Sequence, residues 1–422
     1  MKAVILVAGK GTRLRPLTDN TPKPMLNVGG KPLLEWMIMR VKEAGIDEIL
    51  LVTNYLEHKI IDYFGNGTNH GVMISYKTQE ETLGTANAFG QAMEWVGFSE
   101  FMALYGDHYL EEGVLKRLVE AHREGEVTAS ALKVEDPSQY GAFGLNGELI
   151  TKVVEKPEPG TEPSKYANVG VYIFPANVFS YIEKTPLSPR EEYEITDTMQ
   201  LMIDDGITVR KRDVEDHEWL DIGLPWTLLE ANRRAMEDIE YRIDGTIEDG
   251  VSIHGSVWIK KGARVRTGTY IEGPVVIGED ADVGPNCYIR AFTCLGANTR
   301  VGNACEIKNS IIGEGTHAAH LSYVGDSIIG NNSNLGAGTI TANLRFDQSD
   351  VEVTIRGVRM GSGRRKLGVI MGDNVQTGVN VNFHPGVVVG SDSWIAPGIT
   401  VQRDVRGNVI QYFFSEVQER DR

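Results

Sequence analysis

The chain carries two hydrophobic rhythms. Over residues 1–225 short apolar runs alternate with amphipathic stretches. The runs AVILVA (3–8), EILLVT (48–53), VMISYK (72–77) and FMALYGD (101–107) read as strands of a sheet covered on both faces. PLLEWMIMRVKEAG (32–45) sets Leu33, Trp36, Met37, Arg40 and Ala44 at helical spacing, with Met39 and Val41 flanking. Strands alternating with helices predict a Rossmann-like α/β domain with a mostly parallel sheet over residues 1–228, its ligands at the C-terminal strand ends.

From residue 247 apolar residues recur every six positions: Ile247, Ile253, Ile259, Val265, Ile271, Ile277, Val283, Ile289, Leu295, Val301 and Ile307. The step falls to five at Ile312, returns to six at Ala318 and Val324, and falls again at Ile329 before Leu335. A second run holds Met371, Thr377, Phe383, Val389, Ile395 and Val401. This period predicts a left-handed parallel β-helix in which three hexapeptides make one triangular coil. Residues 18 apart then stack at strand spacing, about 4.8 Å. PWTLLEANRRAMEDIEYRI (225–243) places Leu228, Ala231, Ala235 and Ile239 on one helical face, so a connecting helix is expected over 229–244. The β-helix is expected over 245–405, broken by a polar, basic insertion at 344–368 and followed by a tail at 406–422.

Composition narrows the functional classes. The 422 residues suit two or three cores. Lys plus Arg number 42 against 58 Asp plus Glu, a formal charge of -16, which argues against a nucleic-acid partner. No apolar run approaches the roughly 18 residues of a membrane span, and the first is too short for a secretory leader, so a cytoplasmic protein is expected. The three cysteines, Cys287, Cys294 and Cys305, make no disulfide framework. Cys287 and Cys305 should stack in the β-helix core, at a spacing that permits a disulfide but suits reduced packing thiols in that compartment.

One segment runs against the acidic balance. Residues 1–31 hold Lys2, Lys10, Arg13, Arg15, Lys23 and Lys31 with a single acid, Asp19. The loop LVAGKGTRLRPLTDNTPKPM (6–25) is no dinucleotide fingerprint, because Leu14 stands where the third glycine belongs, nor does it contain a P-loop. A nicotinamide-dependent dehydrogenase is disfavoured on the same ground. Close backbone approach at Gly9 and Gly11, with Arg13 and Lys23 added, suits a triphosphate held by amides and neutralised by cations. Asp107, behind an apolar strand, suits Mg²⁺. On the β-helix, Arg290 and Lys308 should stack outward on adjacent coils, an arrangement that fits a phosphate between them.

GKGTRLRPLTDNTPKPM (9–25) resembles the signature of sugar-1-phosphate nucleotidylyltransferases, and the resemblance extends to about residue 230. It implies that Ala8, Gly9, Gly11, Thr12, Arg13 and Lys23 contact the nucleotide, with Arg13 and Lys23 stabilising departing pyrophosphate. Gln79, Gly84 and Thr85 of QEETLGT would read the pyrimidine of UTP or dTTP. Asp107 and Asp221 of WLDIG would hold the metal, while Gly141, Glu155, Lys156 and Asn168 would contact the sugar 1-phosphate. A salt bridge to Glu155 is the plainer reading of Lys156.

THAAHLSYVGDSIIGNNSNLGAGTITAN (316–343) is similar to the acetyltransferase domain of bacterial glucosamine-1-phosphate acetyltransferase/N-acetylglucosamine-1-phosphate uridylyltransferases. The resemblance implies Arg290, Lys308 and Tyr323 on the amino-sugar phosphate, Asn334 on the sugar, and His320 as general base. Asn343 would orient the acetyl donor, and Ala337 in GAGT would lie along the acetyl-CoA groove. His384 is the competing base, and His317 a bystander. The bacterial pattern has a lysine six residues past the asparagine where this chain has Ser349, followed by Arg356, Arg359, Arg364, Arg365 and Lys366. Archaeal-type bifunctional sugar-1-phosphate nucleotidylyltransferase/acetyltransferases therefore resemble the chain more closely. The family implies a homotrimer built through the β-helix. The competing expectation is a monofunctional nucleotidyltransferase whose β-helix serves oligomerisation or regulation.

Overall fold

The computed structural model describes residues 1–413, which fall into two compact units, each treated by itself. The first comprises Met1–Lys10, Pro22–Met25 and Leu33–Asp221. Its nine-stranded sheet runs in the order Met73–Thr78, Glu48–Thr53, Lys2–Leu6, Phe101–Tyr105, Tyr166–Phe174, Val127–Lys133, Val209–Asp213, Leu149–Glu155, Gly141–Asn146. The first four are mutually parallel, whereas Tyr166–Phe174 runs antiparallel to both its neighbours. Side chains alternate across the Lys2–Leu6 strand. Ala3 and Ile5 join the layer holding Leu34, Met37, Ile38 and Val41 of the Leu33–Glu43 helix, while Val4 joins Phe89 and Met199 on the opposite face.

Two local features shape this unit's C-terminal sheet edge. His108–Leu110 pairs antiparallel with Trp219–Asp221, which sets Asp221 opposite His108. The ladder of Tyr166–Phe174 with Val127–Lys133 shifts register between Asn168 and Tyr172. Gly170 occupies this irregularity with φ +83°, and a Cβ there would lie 2.3 Å from the Tyr105 ring. Only glycine meets both conditions.

The second unit comprises Gly11–Thr21, Leu26–Pro32 and the chain from Ile222. Its α-helix spans Pro225–Glu237, with proline in the first turn, and so ends before the segment expected to continue it to 244. Arg242–Ile243 is instead a strand, in register with Trp258–Ile259. Ile239 keeps an apolar role by packing on Met236, Val276 and Cys294.

The left-handed β-helix has three parallel sheets of eight, nine and eight strands. Each inward residue stacks on its counterpart one coil on, as in the series Ile253, Ile271, Ile289, Ile307 and Val324. Leu295 pairs with Ile312 and Ile312 with Ile329, so each five-residue step shortens a coil while the pairing continues. Corner residues Asp280, Asn298, Asn332 and Asn374 have φ of 53–58°, a conformation that short polar side chains tolerate. Cys287 and Cys305 are free and buried. Burial pushes the Cys287 thiol up to about 12, and Cys305 is raised for the same reason.

The 344–368 insertion forms a β-hairpin of Glu352–Ile355 and Val358–Gly361, anchored by buried Val351, Val353 and Ile355. Coiling resumes beyond it, with Ile329 paired to Met371. At the tail expected over 406–422, Ile410–Gln411 adds a strand against Trp394–Ile395, and residues 414–422 lie outside the described residues. No helix among the described residues is long and apolar enough to cross a membrane.

Candidate active sites

Asp107 ends the turn after the Phe101–Tyr105 strand, beside His108, and cross-strand pairing delivers Asp221 to the same place. One ligand atom from each of Asp107, His108 and Asp221 lies within 4.8 Å of the others. The Lys23 Nζ donates to Asp107 Oδ2 at 2.6 Å and lies 3.9 Å from Asp221 Oδ1. Lys23, expected on phosphate, thus stands between the two expected metal ligands. Two carboxylates at this separation repel, and a buried ammonium offsets the repulsion. His108 was missed in the sequence. Burial pushes its imidazole below the ordinary range despite Asp107 and Asp221, and its Nδ1 is buried with no hydrogen-bond partner. Two carboxylates and an imidazole whose Nδ1 is buried and unmatched form a donor set that fits a divalent cation.

The glycine loop divides between the units. Ala8 and Gly9 follow the first strand; a Cβ on Gly9 would meet nothing within 4 Å, so no protein atom requires glycine there. Gly11–Thr21 belongs to the second unit. Gly11 takes a left-handed conformation (φ 60°, ψ 34°) and starts the one-turn helix Thr12–Leu14, which carries Arg13. Further along, the Ser391 hydroxyl lies 3.3 Å from Asp19 Oδ2, and Asn331 Nδ2 lies 3.5 Å from Thr21 Oγ1.

Gln79 is buried and donates from Nε2 to Asn87 Oδ1 at 2.7 Å. Gly84 (φ +114°) caps the Thr85–Gly90 helix, and a Cβ there would sit 2.5 Å from the Tyr193 carbonyl oxygen. The Thr85 hydroxyl accepts from the Ile195 amide. Gly141, Glu155 and Asn168 come together: a Cβ on Gly141 would lie 3.1 Å from Glu155 Oε2 and 3.3 Å from Asn168 Cβ. Asn168 donates to the Tyr172 hydroxyl, and Lys156, with φ +41°, lies 4.0 Å from Glu155. Arg190, Glu194 and Thr196 complete this cluster and were not singled out in the sequence. Arg190 contacts Glu155 at 3.3 Å and Glu194 at 2.9 Å, while Thr196 donates to Glu155 at 3.2 Å. Burial raises the Glu155 carboxyl against Lys156 and Arg190, and burial with the Glu155 charge pushes Glu194 to about 7.

On the β-helix, Arg290 follows Ile289, and Lys308 ends the neighbouring strand one coil on. The two cations do not share one anion. Arg290 donates to Glu306 at 2.9 Å and Lys308 to Asp326 at 3.3 Å. Asp326 also accepts from Asn309 Nδ2 at 2.7 Å and from Asn343 Nδ2 at 2.5 Å. Asn343 Nδ2 lies 3.1 Å from the Tyr323 hydroxyl. The polar network therefore runs Lys308–Asp326–Asn343–Tyr323, centred on a carboxylate that the sequence reading passed over. Coil register alone does not reach it, since the shortened coil pairs Lys308 with Gly325, one residue before Asp326.

His320 is exposed at the end of its strand, three residues before Tyr323 on the next sheet. Asn334 pairs in register with His317 on the adjacent strand, and the Ala337 carbonyl accepts from the Asn380 amide. His384 sits just beyond the Asn382–Phe383 strand.

Comparison with known proteins adds to these geometries. Residues 2–238 match the family model for nucleotidyl transferases, and residues 271–405 match the model for the GMPPB C-terminal domain. A bifunctional protein GlmU of Methanococcus maripaludis strain C7 is 47% identical over 414 residues, covering 98% of this chain and 97% of the relative. Its counterpart in Methanocaldococcus jannaschii is 43% identical over 413 residues with the same coverage. A bifunctional sugar-1-phosphate nucleotidylyltransferase/acetyltransferase of Sulfurisphaera tokodaii is 39% identical over 408 residues, covering 96% of this chain and 98% of that one.

Proposed function

Since the chain belongs to the family of bifunctional sugar-1-phosphate nucleotidylyltransferase/acetyltransferases, we propose that it performs both reactions on hexose phosphates. The β-helix acetylates an amino-sugar 1-phosphate, glucosamine-1-phosphate or galactosamine-1-phosphate, with acetyl-CoA. The N-terminal domain transfers UMP or dTMP from UTP or dTTP to N-acetylglucosamine-1-phosphate or glucose-1-phosphate, releasing pyrophosphate. Likeness over nearly the whole chain to relatives named as bifunctional carries this reading, and the linked polar side chains Lys308, Asp326, Asn343 and Tyr323 support it. The working assembly is a homotrimer through the β-helix.

In nucleotidyl transfer a sugar-phosphate oxygen bonds to the α-phosphorus as the bond to the bridging oxygen of pyrophosphate breaks. Both partners are anions, so the protein's task is in-line placement and charge neutralisation. Gly9 and Gly11 let the backbone approach the phosphates; Thr12 and Arg13 donate to them. Mg²⁺ held by Asp107 and Asp221 would supply further positive charge. Lys23 exchanges Asp107 for phosphate oxygen. Gln79, Gly84 and Thr85 face the base, while Gly141, Glu155, Lys156 and Asn168 place the sugar phosphate.

In acetyl transfer the amino-sugar ammonium must first lose a proton, and imidazole is the side chain suited to taking it near neutral pH. His320 takes that proton, the amine bonds to the thioester carbonyl carbon, and CoA leaves as the thiol. Arg290 and Lys308 exchange Glu306 and Asp326 for the phosphate, which Tyr323 also holds, and Asn334 holds the sugar. Asn343 orients the donor, whose pantetheine arm passes Ala337. The test follows thiol release from acetyl-CoA with glucosamine-1-phosphate, wild type beside His320→Ala. A loss of roughly 10²–10⁴-fold is expected. Release that survives in the variant moves the base to His384, and no release from wild type with either amino-sugar phosphate leaves the nucleotidyltransferase alone.

A further inference from the structure

We propose that Arg356, carried by the hairpin inserted in the β-helix, is a phosphate-binding residue of the nucleotidyl-transfer site. Three observations point to it. The Arg356 guanidinium donates a hydrogen bond to the Thr12 hydroxyl, within the second unit. Thr12 opens the one-turn helix that follows Gly11 and carries Arg13. With its oxygen accepting from Arg356, the Thr12 O–H is left to donate elsewhere.

The backbone at Arg356 gives the second observation. Ile355 and Val358 close the hairpin, leaving Arg356 and Gly357 as a two-residue turn. Their φ values are +50° and +81°. Turns of this kind favour asparagine, aspartate or glycine at both places. An arginine there is poorly suited to its own backbone, so its side chain is the better reason for its presence.

Charge supplies the third. Arg345, Arg359 and Arg364 of the same insertion each pair with a carboxylate, namely Asp347, Glu352 and Glu230. Among the described residues Arg356, Arg365 and Lys366 have no such ion pair; Arg365 is engaged by Gln348, whereas Arg356 is held at Thr12. A guanidinium carries five donors in a planar fork, and one is engaged by Thr12. An uncompensated cation fixed beside Thr12 and Arg13 is matched by an anion bearing several oxygens, and a nucleoside triphosphate supplies one.

The inference rests on the reading of Gly11–Arg13 as a triphosphate loop, so the test includes Arg13→Ala. In the full-length enzyme, KM for UTP and for dTTP with Mg²⁺ is measured in wild type, Arg356→Ala and Arg356→Lys. Arg356→Ala should raise both values by one common factor of about tenfold, because a phosphate contact does not distinguish the bases. KM for the sugar 1-phosphate and the rate of acetyl-CoA-dependent thiol release should hold. The increase should shrink at high salt, and Arg356→Lys should recover part of it. Nucleotide KM values within twofold of wild type overturn the inference, as does a change confined to KM for acetyl-CoA. Should Arg13→Ala retain full nucleotidyl transfer, the triphosphate loop itself is wrong and the inference falls with it.

Discussion

A single methyl group at position 325 should silence one activity and spare the other. Gly325 lies in the strand Tyr323–Gly325 and has no positive φ, so alanine suits its backbone. A Cβ there would sit 2.4 Å from the Tyr323 hydroxyl and 2.8 Å from Asn343 Nδ2. Ordinary contact needs about 3.4 Å or more, so the hydroxyl must retreat by about 1 Å. The Tyr323 Cζ would also lie 2.8 Å away, so the ring must swing with its hydroxyl, but every obstructing atom belongs to a side chain and none to the coil backbone. The hydrogen bond between them, 3.1 Å long, is lost at about 0.5–1.5 kcal/mol. Replacing glycine by alanine returns about 0.4–1 kcal/mol through the unfolded chain. These nearly cancel, so Tm should move by no more than a few degrees. Misplacing a positioning group by about 1 Å can cost on the order of 10² in rate, and acetyl transfer by Gly325→Ala should fall by that factor. Nucleotidyl transfer measured on the same sample should not change. Gly361→Ala is the control, because a Cβ there meets nothing within 4 Å. Acetyl transfer within threefold of wild type at unchanged Tm would refute the placement of Tyr323 and Asn343 in that site. A fall of ten degrees or more would show instead that the coil cannot absorb the methyl.

Two pH dependences follow from half-buried Glu230 and buried Glu194. Burial raises Glu230, but Arg233 and Arg364 outweigh it and bring the group to about 2. Its contribution, up to about 3 kcal/mol, is present above the ordinary carboxylate range and is lost as pH falls from about 4.5 towards 2. Glu230→Gln should therefore melt below wild type at pH 6, with the gap closing as pH is lowered; a gap independent of pH refutes the assignment. Glu194 has the opposite sign. Held at about 7 by burial and by Glu155, it binds its proton more tightly in the folded chain, so stability declines as pH rises from about 4.5 through 7. Glu194→Gln should gain Tm relative to wild type between pH 5 and pH 8, and equal differences at both values would rule this out.

What the sequence made legible depended on repetition. Ile289, Ile307 and their counterparts announce a coil because each repeats a local rule, and the same arithmetic places Arg290 one coil from Lys308. Shortened coils at Ile312 and Ile329 were readable too, since pairing continues across them. The motif at 9–25 was readable for another reason: glycines and cations close in sequence must be close in space. Neither rule reaches the end of the Pro225–Glu237 helix. There Arg242–Ile243 leaves helical spacing for a strand partner 16 residues away, and a tertiary ladder overrides local periodicity.

The missed site residues share a physical cause. Arg190, Glu194 and Thr196 reach Glu155 from a segment with no motif of its own, and their polar groups acquire meaning only against that carboxylate. Asp326 reads in sequence as a polar corner after a strand, the bland role that Asp280 fills. Three donors converging on it distinguish it. Lys23 shows the same limit from the other side. Composition identified it as a cation for phosphates, yet its charge is set against Asp107 and Asp221. Charge type is local and was legible; which opposite charge it meets is a property of the fold. The Arg356 hairpin carries this furthest, since Arg356 lies 344 residues along the chain from Thr12, the hydroxyl it contacts.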